Sequence, residues 1–363
     1  SWRALPPDAL GGPHALTWLF LSSGLFLGWS LGANDAANVF GTAVATKMVR
    51  FRTAVVVAGF FVVLGSAAGV SGAAGTLGRL GAIDAPAGAF AVALAAGLAV
   101  LLLLKRIGLP VSTTQAIVGA IVGWNLYTGR PTDPDVLRRI VSSWLLCPAL
   151  SASLAAVLFI AARAAMPHMR IHLLEVDAWT RVGLLAVGGF GAYSLGQNNI
   201  ANVMGVFLRV SPFPEEIVVG PLRVSSVEML FLAGGLAIAT GIATYSHRVM
   251  KRLGGGLTAL SPLAALIVVA ATATVLWVFA SPTLSHFLRT LGLPAPPLVP
   301  VSSSQAVVGA ILGISLVRRS PVKWRAVGGI VAGWILAPAV AALLSLVALF
   351  VLANVFLLPV AAP

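Results

Sequence analysis

The chain has 363 residues, of which 59% are hydrophobic and only 9% are charged, and its mean hydropathy is +0.99. Soluble domains carry about a quarter charged residues, so this composition excludes an ordinary soluble domain and predicts an integral membrane protein. The net charge of +13 lies mostly between the apolar runs, as in cytoplasmic loops, so it does not indicate a nucleic-acid partner. The single cysteine, Cys147, excludes an internal disulfide and any metal site built from several cysteines.

The apolar runs predict an all-α membrane fold. Each is continuous over about twenty residues, whereas the strands of a transmembrane barrel alternate at every second residue. We expect ten crossings in two sets of five, with a first repeat at 1–163, a linker at 164–179 and a second repeat at 180–363. Because five is odd, two halves with one fold must enter the membrane from opposite sides, as an inverted repeat. The runs lie at about 15–45, 53–72, 86–104, 110–127, 139–163, 180–210, 226–244, 257–280, 298–317 and 326–355.

The charges in the loops favour the same topology. The loop after the first run carries Lys47, Arg50 and Arg52, whereas the corresponding loop of the second half carries Glu215 and Glu216. Basic loops remain on the cytoplasmic side of a membrane. Placing them there puts the linker inside and both termini outside. We therefore expect a multi-pass protein embedded in the lipid bilayer of a plasma membrane, the bacterial inner membrane.

A polar motif interrupts the first run of each half. The stretch Gly32 to Gly41 reads Gly-Ala-Asn-Asp-Ala-Ala-Asn-Val-Phe-Gly, and Gly196 to Gly205 reads Gly-Gln-Asn-Asn-Ile-Ala-Asn-Val-Met-Gly, at a constant offset of 164 in the numbering. Polar side chains inside a membrane are costly and usually functional. Two such breaks in two repeated halves predict a substrate site at the interface between the repeats.

A second pair of motifs predicts helix starts inside the membrane. The segment 110–119 reads Pro-Val-Ser-Thr-Thr-Gln-Ala-Ile-Val-Gly, and 300–309 reads Pro-Val-Ser-Ser-Ser-Gln-Ala-Val-Val-Gly, at a constant offset of 190 in the numbering. Proline followed by hydroxyl residues is typical of a helix N-terminus. We expect broken or re-entrant helices at the midplane, whose free N–H groups and hydroxyls suit a dehydrated oxyanion. Because the offset rises from 164 to 190, the second half must contain an insertion between its motifs, and we expect part of it around 254–258.

The one carboxylate inside these motifs, Asp35, predicts a coupling-ion site. An isolated carboxylate in a membrane is either protonated or partnered by a cation. Amide oxygens suit a hard cation, and six residues make up the expected site for Na⁺ or H⁺. Three of them, Asp35, Asn38 and Asn202, are the expected Na⁺ ligands. The six residues are Asn34, Asp35, Asn38, Asn198, Asn199 and Asn202.

Other functions fit the sequence less well. A channel would carry a continuous polar face along several helices, whereas the polar residues here concentrate at four breaks. Hydroxyl clusters also join transmembrane helices by hydrogen bonds, but two copies with glutamine at the same place favour a binding role. No histidine, cysteine or glutamate adjoins the motifs, so we expect no enzyme and no cofactor beyond the coupling ion. A non-transporting receptor stays open.

The four motifs resemble those of the inorganic phosphate transporter (PiT) family, which includes sulfate-permease relatives. The resemblance implies a symporter that moves inorganic phosphate with Na⁺ or H⁺ by alternating access, and it implies a homodimer. It also implies that the hydroxyl and glutamine residues of the second motif pair bind the anion. These are Ser112, Thr113, Thr114, Gln115, Ser302, Ser303, Ser304 and Gln305.

The chain departs from the family pattern at Asn199, where the pattern has a second aspartate. The departure removes one negative charge from the expected site and should change its coupling to cations. It also bears on the substrate, because hydrogen phosphate has a proton to donate to a carboxylate and sulfate at neutral pH has none. The alternative prediction is therefore a permease for sulfate or a related tetrahedral oxyanion.

Overall fold

The computed structural model describes residues 13–69, 74–107, 111–166, 173–219, 222–253 and 260–362. These ranges are mostly helical, with one two-stranded antiparallel hairpin whose register pairs Glu216 with Ser225. A short 3-10 turn, Gly205–Phe207, follows the seventh helix. The elements are α1 (Pro13–Ala45), α2 (Phe51–Ala68), α3 (Ala74–Gly81), α4 (Pro86–Ile107), α5 (Thr113–Thr128), α6 (Pro134–Ala165), α7 (Leu173–Met204), β1 (Glu216–Val219), β2 (Leu222–Ser225), α8 (Ser226–Thr244), α9 (Ser246–Leu253), α10 (Pro262–Ala280), α11 (Pro282–Thr290), α12 (Ser303–Arg318) and α13 (Trp324–Asn354).

Each of the ten predicted apolar runs contains a helix, which confirms a helical membrane protein. In the described ranges, seven helices are long and apolar enough to cross a bilayer: α1, α2, α4, α6, α8, α10 and α13. Helices α5 and α12 have 16 residues each, which at 1.5 Å per residue is about 24 Å and shorter than the roughly 30 Å hydrocarbon core. The number of crossings stays a prediction.

Local signals set several helix starts. Asp133 caps α6 by accepting the N–H groups of Asp135 and Val136, and Pro134 occupies the first turn. Proline fits there because its missing N–H would have no helical partner. Ser225 and Glu228 form a capping box at the start of α8, directly after β2.

The first helices of the two halves pack by exchange, each against a helix of the other half. Helix α1 packs on α8, and α7 packs on α2. The contacts are close because glycine faces backbone: a methyl group on Gly32 would meet the carbonyl of Ile238, and one on Gly196 would meet the carbonyl of Val62. Small residues allow membrane helices to approach in this way.

The helices that follow the second motifs pack by the same exchange. Helix α5 packs on α13, and α12 packs on α6. A methyl group on Gly119 would meet the carbonyl of Pro338, and one on Gly309 would meet the carbonyl of Pro148. Both prolines lie inside their helices, and they correspond to each other at the same offset of 190. Each of these two helix–helix contacts therefore occurs twice in the chain.

The extra length of the second half lies at two places. The offset between corresponding positions is 164 from Gly32 to Gly196, 176 from Val62 to Ile238, and 190 from Gly119 to Gly309. The first increase falls at the β1–β2 hairpin and the second at α11 with the coil after it. The loop at 254–258, where part of the insertion was expected, lies outside the described residues. It adds no net length, because α4 and α10, on its far side, begin at the same offset of 176.

The predicted outer loops meet at one end of the molecule. The Arg130 guanidinium contacts the Asp84 carboxylate at 2.7 Å and also donates to the carbonyl of Ala362, near the C-terminus. Partial burial acts to raise the pKa of the Asp84 carboxyl, but the hydrogen bond from the Ala362 amide and the Arg130 guanidinium hold it below its usual value. The C-terminal segment thus lies on the face that also carries the α3–α4 and α5–α6 loops.

Candidate anion and cation site

Two buried serines begin the short helices. The Ser112 hydroxyl accepts the N–H of Gln115 at 3.2 Å and caps α5, and the Ser302 hydroxyl accepts the N–H of Gln305 at 3.4 Å and caps α12. Both serines are at most 2% exposed. Each helix therefore starts inside the protein, with the positive end of its dipole directed at buried space.

The first asparagine of each polar motif fixes the residue before the cap. Asn34 donates to the carbonyl of Val111 at 2.7 Å and accepts the N–H of the same residue at 3.2 Å. Asn198 holds Val301 in the same way, at 2.7 and 3.0 Å. One side-chain amide thus satisfies both backbone groups of an extended residue that no helix or strand serves.

The last asparagine of each motif reaches the helix start of the other half. Asn38 of α1 donates to Ser303 at the start of α12, at 3.3 Å. Asn202 of α7 donates to Thr114 at the start of α5, at 2.9 Å, and Thr114 donates to the carbonyl of Val301 at 3.3 Å. These contacts join the four motifs into one buried cluster.

Asp35 is the only charged side chain that is buried in the described part of the chain, at 1% exposure. One of its carboxylate oxygens accepts from Asn34 at 2.7 Å and from Asn38 at 3.3 Å. The Ser303 hydroxyl interacts with the same carboxylate. Because no lysine, arginine or histidine is buried with it there, its charge requires a bound cation or a proton.

Asn199 occupies the corresponding place in the second half and is held differently. Its amide nitrogen donates to the carbonyl of Leu195 at 3.1 Å, one turn earlier in α7. Its amide oxygen accepts from Asn202 at 2.8 Å. Both ends of this neutral side chain are therefore satisfied within its own helix.

Several buried oxygens of the cluster have no hydrogen-bond partner among the described residues. They belong to the side chains of Asn38, Asn202, Thr113, Gln115 and Gln305. Leaving a buried polar atom unpaired costs about 1–3 kcal/mol, so such atoms usually bond to an ordered water, an ion or a ligand. Their concentration around the two helix starts indicates a binding site for polar or charged species.

A small cavity lies beside Asn38, a hydrogen-bond partner of Asp35, and its lining includes a residue that the sequence did not single out. Its volume is about 10 Å³, roughly the space of one water-sized sphere, and its polar lining consists of Asn38, Ser303 and Thr272 of α10. Thr272 is 3% exposed, and its hydroxyl is also unpartnered in the described structure. The signal available in the sequence was a threonine in an apolar run, which is too common a feature to stand out.

All the residues predicted for the anion and for the coupling ion are buried, and the polar contacts above link most of them. The amide oxygens of Asn34 and Asn198 are engaged by backbone N–H groups, unlike those of Asn38 and Asn202. The set is Ser112, Thr113, Thr114, Gln115, Ser302, Ser303, Ser304, Gln305, Asn34, Asp35, Asn38, Asn198, Asn199 and Asn202.

A bundle of membrane helices around a buried polar cluster, with two helix starts directed into it, defines a membrane transporter. A profile of the phosphate transporter family matches residues 31–345, and the chain belongs to that family. It is therefore a transporter of the phosphate-permease type, and not an enzyme.

Individual relatives agree with the family. A protein of Pyrococcus abyssi named "putative phosphate permease" is 26% identical, and the match covers 90% of this chain and 96% of that protein. A sodium-dependent phosphate transporter of Plasmodium falciparum is 35% identical over a match that covers 41% of this chain and 24% of that protein. The solved structure of a sodium-dependent phosphate transporter has a TM-score of 0.71 and 21% identity, over 93% of this chain and 98% of the other. That structure establishes the fold.

Proposed function

We propose that this protein is a secondary active transporter that carries inorganic phosphate together with Na⁺. The observation that carries the proposal is the buried cluster itself, in which two capped helix starts and one uncompensated carboxylate share a site with several unpartnered oxygens. Helix N-termini bind phosphate groups through free N–H donors and their dipole. The carboxylate gives a place for the cation that accompanies the anion.

Na⁺ is favoured over H⁺ as the coupling ion by the neutral oxygens beside Asp35. A proton needs the carboxylate alone, whereas Na⁺ needs several oxygen ligands at once. Asn38, which donates to that carboxylate, and Thr272, which lines the same cavity as Asn38, each present an unpartnered oxygen. The names of two similar proteins also specify sodium dependence, and they describe those proteins.

We assign the expected site residues to two roles. Hydroxyl and N–H groups at 112–115 and 302–305 bind the anion, and Asp35 with Asn38 binds the cation. Ser303 lies between the two, because its hydroxyl also lines the cavity beside Asn38. Asn34 and Asn198, expected as cation ligands, are instead positioning residues, because the amide of each is engaged by a valine backbone. Asn202 has an unpartnered amide oxygen, and its amide nitrogen donates to Thr114, one of the residues assigned to the anion.

The duplicated helix packing supports two inverted repeats that move against each other around the central site. Each half contributes one serine-capped helix start, and each start contacts an asparagine of the other half. Alternating access then requires rocking of one set of helices against the other. An orientation with both termini outside a bacterial inner membrane, and the homodimer implied by the family resemblance, stay predictions.

The test is uptake of radiolabelled phosphate and sulfate into proteoliposomes, each with and without an inward Na⁺ or H⁺ gradient. We expect phosphate uptake driven by the Na⁺ gradient. Uptake of sulfate that phosphate does not inhibit would establish the alternative, in which Asn199 marks a change of substrate. Absence of gradient-driven uptake of either anion would overturn the symport proposal.

A further inference from the structure

The two places where a cation could bind differ at two independent positions. Asp35 corresponds to Asn199 at the offset of 164, so the second half lacks the carboxylate. Thr272 of α10 corresponds to Ala96 of α4 at the offset of 176. The second place therefore also lacks the hydroxyl that Thr272 supplies to the first. The packing of glycines on both sides fixes these offsets, which makes the correspondence structural as well as sequential.

The first place has the chemistry of a cation site. Asn38, Ser303 and Thr272 line one cavity, and both Asn38 and Ser303 contact the Asp35 carboxylate. Three of the four helices around the cavity thus supply oxygen: α1, α10 and α12. The unpartnered oxygens of Asn38 and Thr272 belong to buried residues, at 3% exposure each. A hard cation prefers such a set of one carboxylate with neutral oxygens.

The second place retains only part of that set. Asn202 and Thr113 correspond to Asn38 and Ser303, and their side-chain oxygens have no partner among the described residues. Asn199 adds no negative charge, and its amide is satisfied by Leu195 and Asn202. Two neutral oxygens without a carboxylate give little reason for a cation to leave water.

The charge balance of the buried cluster also favours a single bound cation. The N-termini of α5 and α12 each act as roughly half a positive charge. A cation next to Asp35 neutralises the carboxylate, and the two helix ends together then balance one monovalent phosphate. A second cation would leave the buried site with a net positive charge. A second aspartate at position 199 would have required a second cation to balance it.

We propose that the protein binds one coupling cation per monovalent phosphate, in the cavity lined by Asn38, Ser303 and Thr272, where the Asp35 carboxylate bonded to Asn38 and Ser303 supplies the negative charge. The place at Asn199 and Ala96 holds no cation. This inference rests on the proposed function and specifies its stoichiometry and one new ligand, Thr272. Transport with this stoichiometry moves no net charge across the membrane.

The stoichiometry is tested in proteoliposomes by finding the membrane voltage and Na⁺ gradient at which net phosphate flux is zero. We expect a reversal condition that shifts with the Na⁺ gradient as one ion per phosphate and does not shift with voltage. Movement of two or more cations per phosphate would overturn the proposal. Phosphate uptake that responds to no cation gradient would instead overturn the symport function on which it rests.

The new ligand is tested by Thr272→Val, which removes the hydroxyl and keeps the volume. We expect the Na⁺ concentration for half-maximal phosphate binding to rise about tenfold, with phosphate affinity at saturating Na⁺ unchanged. Thr272→Ser should restore Na⁺ dependence, which separates a lost ligand from a folding defect. Thr274→Val is the matched control, since the Thr274 hydroxyl only bonds the carbonyl of Ala270 in its own helix. A wild-type response to Na⁺ in Thr272→Val would overturn the assignment.

The empty place is tested by the double substitution Asn199→Asp with Ala96→Thr, which copies the first place into the second half. We expect this variant to bind a second cation, visible as a steeper Na⁺ dependence and as voltage-sensitive uptake. An unchanged steepness in a folded variant would show that these two positions do not decide cation number, and would overturn that part of the proposal.

Discussion

Asn34 and Asn198 hold Val111 and Val301 through the same pair of hydrogen bonds, whereas the residues that follow them, Asp35 and Asn199, differ in charge. The two halves have kept the parts that shape the helix starts and have diverged in the parts that attract a cation. Geometry and charge are therefore separable in this site. Substitutions at paired positions can show which property each half supplies.

The largest effect is expected at the charged position. Asp35→Asn removes the only buried carboxylate of the described residues, and we expect Na⁺-driven phosphate uptake to fall by at least about 100-fold, or about 2.7 kcal/mol. Uptake assays in proteoliposomes measure this. Asp84→Asn, which changes a partly exposed carboxylate far from the cluster, is the control and should retain uptake. Wild-type Na⁺ dependence in Asp35→Asn would contradict the proposed coupling role.

The positioning asparagines should behave alike in both halves. Asn34→Ala and Asn198→Ala each leave a buried N–H and C=O unsatisfied, which should cost about 2–4 kcal/mol of stability. Thermal unfolding in detergent, compared with that of the parent protein, gives the size. The Na⁺ dependence is not the criterion, because Asn34 also donates to the Asp35 carboxylate at 2.7 Å. An Asn34→Ala variant as stable as the parent protein would contradict the positioning role.

The capping serines should have a smaller, symmetric effect on the anion. Ser112→Ala and Ser302→Ala remove a cap and a hydroxyl donor, and we expect phosphate affinity to fall about tenfold in each, or about 1.4 kcal/mol. Calorimetric titration with phosphate at saturating Na⁺ measures the affinity. Ser315→Ala is the control, because that buried hydroxyl bonds only the carbonyl of Ile311 in α12. Unchanged affinity in both cap variants would argue against the anion assignment.

The smallest effect is expected at the face that carries the α3–α4 and α5–α6 loops, where Asp84 contacts Arg130. The depressed pKa of Asp84 means that its contribution to stability is present above the ordinary carboxyl pKa and is lost as the pH falls through the lower, folded-state value. Since the pair with Arg130 is partly exposed, Asp84→Asn should cost no more than about 1 kcal/mol near neutral pH. Thermal unfolding of the parent and the variant should converge in acid, and a difference that persists there would exclude this cause.

The sequence predicted the helices well because their signals are local. Ten apolar runs located ten helices, and the two motif pairs located the buried cluster, since each polar break stands out against an apolar background. The role of Asn34 was not predictable, because nothing in the motif shows that its amide would bind Val111 across 77 residues. Thr272 was missed for a related reason: it lies on α10, outside the four motifs, and no polar residue next to it in the sequence distinguishes it. The position of the insertion could be assigned only once paired glycine contacts gave the offset on both sides.

The exchanged packing has a consequence for synthesis of the protein in the membrane. The glycine face of α1 is made first, yet the helix that covers it, α8, ends at Thr244. Helices α2 to α8 must therefore emerge before the glycine face of α1 is covered. Until then the glycine face of α1 is uncovered and the Asp35 carboxylate is not yet enclosed by protein. This is the state that an insertion machinery or a chaperone would need to protect. Neither half alone covers the glycine faces of its own helices.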